Sequence, residues 1–323
     1  MEYSRIAQLE LPVSKIGLGC WAFGGDSWWG PQNDHDSLEV LDQALKSEIT
    51  LIDTAPVYGR GRSETIIGNF LRKRKVREKV ILATKLGLAW EGPNILHDLS
   101  EKRMRQELDA SRRRLCTDYF DIYQVHWPDP NIPIGETAQV MHEFYQKGII
   151  KAVGVSNYSV DQMEEFMKYC PVHSLQPQYS MFVRDIEHET VPFCVRHNIA
   201  IFAYAPLYSG LLTGKFFLNG EKIPDDTNRK MKRKDLEEPL FSVNRAILQE
   251  CKEIACGYGK SLTQLVINWT SHQEGISSVL VGSRSRTQIC ENAAGAGWEI
   301  SESDQAKIDT LLRQRQEKIK SLR

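Results

Sequence analysis

Residues 16–31 read IGLGCWAFGGDSWWGP, and this stretch decides between the two folds that the rest of the chain allows. A short apolar run ends in Gly17-Leu18-Gly19-Cys20-Trp21-Ala22, a match to the G-x-G-x-x-A pattern of an open, doubly wound sheet. In that setting the glycines deliver a phosphate group to the N-terminus of a helix that starts at once. Here the chain runs on into Phe23-Gly24-Gly25 and Trp28-Trp29-Gly30-Pro31 before any helix starts. The match is read as accidental, and the sheet is expected to be closed.

Outward from this stretch, short β-rich runs alternate with amphipathic segments. Strands are expected at 16–20, 50–54, 80–84, 121–126, 150–155, 173–177, 199–204 and 277–281. Between them lie helical stripes such as 100–115, where Met104, Leu108, Ser111 and Leu115 share one face, and 36–47, opened by Asp36 with Glu39 three residues on. Eight such units predict an α/β fold, a (β/α)₈ TIM barrel. The segment after the seventh strand, residues 214–240, is polar, basic and without a periodic face, as a long loop would be. Within it the run from Lys230 to Lys234 reads as a solvated face. Gly214-Lys215 and Gly259-Lys260-Ser261 lack the earlier glycine of a phosphate loop, since Ser209 and Ile254 stand there.

A barrel takes about 250 residues, so 323 fit one domain, 1–323, with decorations. Lys and Arg number 41 against 42 Asp and Glu, with no block of one sign, which argues against a nucleic-acid partner. Seven scattered cysteines form no Cys-x-x-Cys pair, so neither a disulfide framework nor a metal site is expected. With no signal pattern in MEYSRIAQLELPV and no apolar stretch of spanning length, a soluble, cytoplasmic protein without a membrane partner is expected. The oligomeric state is not readable.

Strand alternation sets Leu51 and Asp53 on one face, Ile81, Ala83 and Lys85 on the next, and Ile122, Gln124 and His126 on a third. Asp53, Lys85 and His126 stand at the carboxyl ends of their strands, the mouth where barrels build active sites. Tyr58, five residues past Asp53, reaches the same place. Such a set suits proton donation to a carbonyl oxygen as hydride arrives at carbon: Tyr58 as acid, Lys85 as the cation that stabilises its anion, Asp53 holding Lys85, and His126 fixing the substrate oxygen. The other seven histidines read as structural.

GLGCWAFGG (17–25), DTAPVYG (53–59), ATK (83–85), QVHWPD (124–129), GVSN (154–157), QPQYS (176–180), YAPLYSGLLTGKF (204–216) and VGSRSRTQICEN (281–292) together resemble the aldo-keto reductase family. The likeness is greatest to the bacterial and plant branches that resemble potassium channel β subunits, and it covers nearly the whole chain. It implies a catalytic tetrad of Asp53, Tyr58, Lys85 and His126 and the cofactor NADPH/NADP+. By the same resemblance Ser156, Asn157 and Gln178 would bond the nicotinamide carboxamide, and Tyr204 would stack on its ring. Pro206, Leu207, Gly210, Leu212 and Lys215 would follow the pyrophosphate, with Arg229 from the long loop clasping it. Gly282, Ser283, Arg284, Gln288, Glu291 and Asn292 would meet the adenosine end. Ser283 and Arg284 would offer a hydroxyl and a planar fork to a 2′-phosphate, favouring NADPH over NADH. Trp21 falls with both the cofactor and the substrate wall, and Trp90 and Trp127 are further candidates for that wall.

Two departures stand out. Glu48 occupies a position where the family usually has glycine, which disfavours a left-handed helix cap. Gln288 stands where several members have Arg.

The expected function is NADPH-dependent reduction of a small aldehyde or ketone, whether sugar, aliphatic or aromatic. Two other classes compete. One is an NADPH-binding, redox-sensing regulatory subunit with slow turnover. The other is a barrel aldolase using Lys85 as a Schiff base, which Asp53 disfavours because it keeps the lysine charged.

Overall fold

The structure, a computed structural model, describes residues 1–26, 28–92, 94–222 and 234–321. Its centre is a closed barrel of eight parallel strands: β1 Ile16–Gly19, β2 Leu51–Asp53, β3 Ile81–Leu86, β4 Phe120–Val125, β5 Ile150–Ser156, β6 Ser174–Gln176, β7 Ala200–Tyr204 and β8 Ile276–Gly282. Strands adjacent in sequence are adjacent in space, and β8 closes on β1 with Val281 opposite Leu18. Every expected strand is present, with its ends within two residues of those expected.

Each strand is followed by a helix: α1 Asp34–Lys46, α2 Arg62–Arg74, α3 Glu101–Leu115, α4 Ile134–Gln146, α5 Val160–Met167 and α6 Thr190–Arg196. β7 is followed by two, α7 Leu240–Gly257 and α8 Leu262–Ser271, and β8 by α9 Arg286–Ala293 and the terminal α10 Glu302–Ser321. Met104, Leu108, Ser111 and Leu115 of α3 are all buried, as their spacing required.

Two local expectations are corrected. Asn33, not Asp36, caps α1: its side chain accepts from the amides of His35 and Asp36, and the helix begins two residues earlier than expected. Asp36 sits in the first turn, where its charge suits the helix dipole. At the far end Glu48 does adopt the left-handed conformation, φ 61°, and the amide of Ile49 still bonds back to the carbonyl of Ala44 at 3.0 Å. The turn geometry is retained with a side chain that ordinarily resists it.

Outward strand faces and inward helix faces share one large apolar core. Inside the barrel a second cluster forms from Leu51, Ile81, Ala83, Ile122, Ala152, Ala200, Phe202 and Leu280. A two-stranded hairpin, Tyr3–Ser4 with Val13–Ser14, brings Ile6, Leu9 and Val13 into that cluster and plugs the N-terminal end of the barrel. Each buried aliphatic side chain contributes roughly 1.5–3 kcal/mol.

A second hairpin, Leu88–Glu91 with Asn94–His97, rises from the mouth after β3 and carries Trp90. Of the long segment 214–240, residues 223–233, and with them Arg229, lie outside the described residues. All seven cysteines are free. Among the described residues no helix is long and apolar enough to cross a membrane.

Candidate active site

The upper layer of the barrel interior is polar where the layers below are apolar. Asp53, the last residue of β2, and Lys85, near the end of β3, point inward because they continue the alternation of Leu51 and of Ile81 and Ala83. Lys85 is fully buried. Its ammonium donates to both carboxylate oxygens of Asp53, at 2.9 and 2.7 Å, and to the carbonyl of Thr54 at 2.9 Å. Its remaining contact is the hydroxyl of Tyr58, 3.3 Å away.

Two residues with no assigned role in the sequence join this layer. The side-chain amides of Gln176, 2.9 Å, and Gln124, 3.3 Å, both donate to Oδ1 of Asp53. Asp53 therefore receives a full set of charged and neutral donors inside the barrel, which such a buried carboxylate needs. Alternation had placed Gln124 on the inner face. Gln176 was legible only as part of QPQYS, since a neutral side chain gives no charge signal.

Tyr58 lies in the turn between β2 and α2. Two facing glycines allow this turn to meet the one after β1. A Cβ on Gly24 would sit 2.5 Å from the amide nitrogen of Gly59, and one on Gly59, whose φ is 60°, would sit 2.4 Å from the carbonyl oxygen of Gly24. The close approach lays Trp21 flat on the Tyr58 ring, with centroids 5.8 Å apart, while His126 meets the same ring edge-on at 5.9 Å. Trp28 stacks on the other side of the cluster against Trp21 at 5.4 Å, and Trp29 approaches Trp21 edge-on at 5.7 Å.

The electrostatics correct one expectation. Lys85 was expected to make Tyr58 more acidic, yet burial first, and then the charges of Asp53, Cys20 and Asp26, push the phenol well above its ordinary value. The ammonium is already neutralised by Asp53, so the resting phenol stays protonated. His126 is held well below the usual histidine range by burial and by the neighbouring Lys85 and His97, and it is a neutral imidazole at physiological pH.

The remaining candidates fall in three places. Ser156, Asn157 and Tyr204 form one cluster: Asn157 donates to the Ser156 hydroxyl at 3.0 Å and to the carbonyl of His126 at 3.1 Å, and accepts from the Tyr204 hydroxyl at 3.0 Å. Gln178 pairs through its backbone with Tyr204. Past Tyr204 the chain turns through Tyr208, Ser209 and Gly210, all with positive φ (48°, 58° and 88°), which makes a concave run of backbone. Pro206 and Leu207 lead into it, and Lys215 reaches it, its Cε 3.7 Å from where a Cβ on Gly210 would stand. The Leu212 side chain is buried in the core.

At the end of β8, Gly282 is exposed and Gln288 accepts from the Arg284 amide at 2.8 Å. Ser283 is fully buried, its hydroxyl accepting from Asn292 at 2.9 Å, and Glu291 accepts from Ser261 at 2.9 Å. Arg284 does not stand open: its guanidinium bonds to the carbonyls of Trp29 and Pro31 and to the side chain of Gln32. Trp127 is 40% exposed at the mouth, and Trp90 faces the guanidinium of Arg103, 5.8 Å away.

The geometry can be set beside known proteins. The Aldo/keto reductase family model matches residues 15–313. Aldo-keto reductase YhdN of Bacillus subtilis (strain 168) is 40% identical, over 97% of this chain and 94% of its own. The NADH-specific methylglyoxal reductase of Escherichia coli (strain K12) is 32% identical, over 94% and 96%. The solved glycerol dehydrogenase AKR11B4 from Gluconobacter oxydans superposes with a TM-score of 0.89 at 35% identity, covering 96% of this chain and 95% of that one. The closed barrel, the family match and relatives alike along nearly their whole length lead to one conclusion: the chain belongs to the aldo/keto reductase family.

Proposed function

We propose that this protein reduces an aldehyde or ketone to the alcohol, with NADPH as hydride source and Tyr58 as proton donor. The observation that carries the reading is the 3.3 Å contact between the Lys85 ammonium and the Tyr58 hydroxyl, at a barrel mouth shared with His126. Because Lys85 donates to the phenolic oxygen, one lone pair of that oxygen is taken and its proton is left to point at a substrate oxygen. A phenol protonated throughout the neutral range is always in the state a donor needs. As its proton departs, negative charge grows on an oxygen that already has an ammonium beside it, and Asp53, Gln124 and Gln176 keep that ammonium in place. Neutral His126 gives the substrate oxygen a second, uncharged partner.

The residues present suit a nicotinamide dinucleotide. Ser156, Asn157, Gln178 and Tyr204 supply amide and hydroxyl groups beside His126. The left-handed backbone run at 208–210 with Lys215 suits a pyrophosphate, and the capped start of α9 suits an adenosine phosphate. When bound, that group supplies the hydride. The E. coli relative's NADH specificity makes both nicotinamide forms necessary in any test. Names such as methylglyoxal reductase and glycerol dehydrogenase favour a small, oxygen-rich substrate, and seven free cysteines fit a reducing compartment such as the cytoplasm.

The test is consumption of NADPH and NADH against sugars, aliphatic aldehydes, aromatic aldehydes and dicarbonyls. Turnover of at least one class, abolished in Tyr58→Phe, is expected. Tight cofactor retention with slow turnover of every class would favour the regulatory reading instead.

A further inference from the structure

Between β1 and α1 the chain runs through a loop, residues 25–33, that carries Trp28 and Trp29 to the reacting centre. Within its described residues the loop folds around Asp26. Asp26 accepts from the amides of Trp28 and Trp29 and from the Trp21 indole, and the Gly30 amide bonds back to Asp26. The indole nitrogen of Trp28 is buried without an acceptor among the described residues, which costs rather than contributes stability. The loop is held from outside by two arginines. Arg62 of α2 donates to the carbonyls of Gly24 at 3.2 Å and Gln32 at 2.6 Å. Arg284, from the far end of β8, donates to the carbonyls of Trp29, at 2.8 Å, and Pro31, and to Oε1 of Gln32 at 3.0 Å, while Gln32 returns a bond to the Arg284 carbonyl at 3.1 Å.

A contiguous path of contacts thus joins the adenosine end of the site to its proton donor: Arg284 to the loop, the loop to Trp28 and Trp29, these to Trp21, and Trp21 to Tyr58. We propose that Arg284, with Gln32, is a positioning residue for the carbonyl substrate, pinning the 28–32 loop so that its tryptophans form the substrate wall. The inference rests on the reductase reading for the identity of the substrate, but the latch itself does not. A guanidinium is needed for it. Three nitrogens in one plane meet three acceptors, and an ammonium, a point charge on a flexible stem, cannot. A phosphate contact makes a different demand, because it is felt only with the cofactor that carries the 2′-phosphate.

The experiment compares Arg284→Ala, Arg284→Lys and Gln32→Ala with the parent protein, at saturating NADH and at saturating NADPH. NADH has no 2′-phosphate, so an effect shared by both cofactors is not the loss of a phosphate contact, and Gln32→Ala, which removes no cofactor candidate, assigns it to the loop. All three variants are expected to raise the carbonyl KM roughly five- to tenfold with either cofactor, the scale of losing one net hydrogen bond, and to change kcat far less. Gln32→Ala is expected to keep the cofactor Kd. Acrylamide quenching of tryptophan emission in the protein alone should increase in all three, and not in a background lacking Trp28 and Trp29. The proposal is overturned if Arg284→Lys and Gln32→Ala leave the carbonyl KM and the quenching unchanged while Arg284→Ala weakens NADPH alone. Increased quenching in a protein whose parent form reduces no carbonyl would count against the reductase reading and for the latch.

Discussion

The rings of Trp21 and Tyr58 lie one over the other, 21° from parallel. The proposed proton donor and the proposed substrate wall are therefore one packed unit, and a substitution that empties the space of Tyr58 would disturb both. Tyr58→Phe keeps the stack and removes only the hydroxyl. It is expected to lower turnover by on the order of 10² or more, the scale of a general acid. Cofactor affinity and the thermal midpoint should stay as they are, and a variant reducing its best substrate at the parent rate would mean that another group donates the proton.

Lys85→Met tests the ion pair. It leaves the Asp53 carboxylate buried with its charge uncompensated, which costs about 3–5 kcal/mol when no other donor is near. The amides of Gln124 and Gln176 remain, so a loss near the lower end is expected in urea unfolding, together with loss of turnover. Full stability in the variant would show that Asp53 gains little from its lysine.

Glu107, bonded to the base of the hairpin that follows β3, gives the protein a pH-dependent stability. Burial, offset in part by the bond from the Gly87 amide and by Arg103, raises its carboxyl to about 7 from an ordinary value of 4.5. Between these two values the folded state holds a proton that the unfolded state lacks, so this contribution falls as pH rises through the window. Glu107→Gln keeps a carbonyl for Gly87 and removes the titration. Relative to the parent it is expected to gain stability between pH 5 and pH 8, by at most on the order of 3 kcal/mol. A difference that does not vary with pH would overturn the assignment.

Gly59→Ala would place a methyl group against the Gly24 carbonyl on a backbone that already disfavours side chains. The turns after β1 and β2 would separate. A loss of roughly 1–3 kcal/mol is expected from the backbone conformation alone, with more from the clash, and kcat should fall because Trp21 and Tyr58 lose register. Denaturation midpoints and steady-state kinetics measured together check this.

Trp127, 40% exposed at the mouth, is expected to matter most for large substrates. Trp127→Ala should raise KM for aromatic aldehydes more than for small aliphatic ones. Kinetic constants unchanged for every substrate would remove it from the wall.

The barrel, and the meeting of Asp53 with Lys85 inside it, were legible because they depend on local periodicity. Once Leu51, Ile81 and Ile122 are assigned inward, two-residue alternation carries Asp53, Lys85 and Gln124 inward with them, and the closed sheet does the rest. What escaped depends on partners far along the chain. Arg284 read as an open fork because nothing near it in sequence announces the carbonyls of Trp29 and Pro31, more than 250 residues away. Gln176 likewise meets Asp53 across 123 residues. Asn33 outcompeted Asp36 as a cap because both types suit the position, and only the path of the preceding loop chooses between them.

The hairpin carrying Ile6, Leu9 and Val13 turns the barrel into a dead end. Whatever reaches Tyr58 arrives and departs by a single doorway, the mouth at which the strands end.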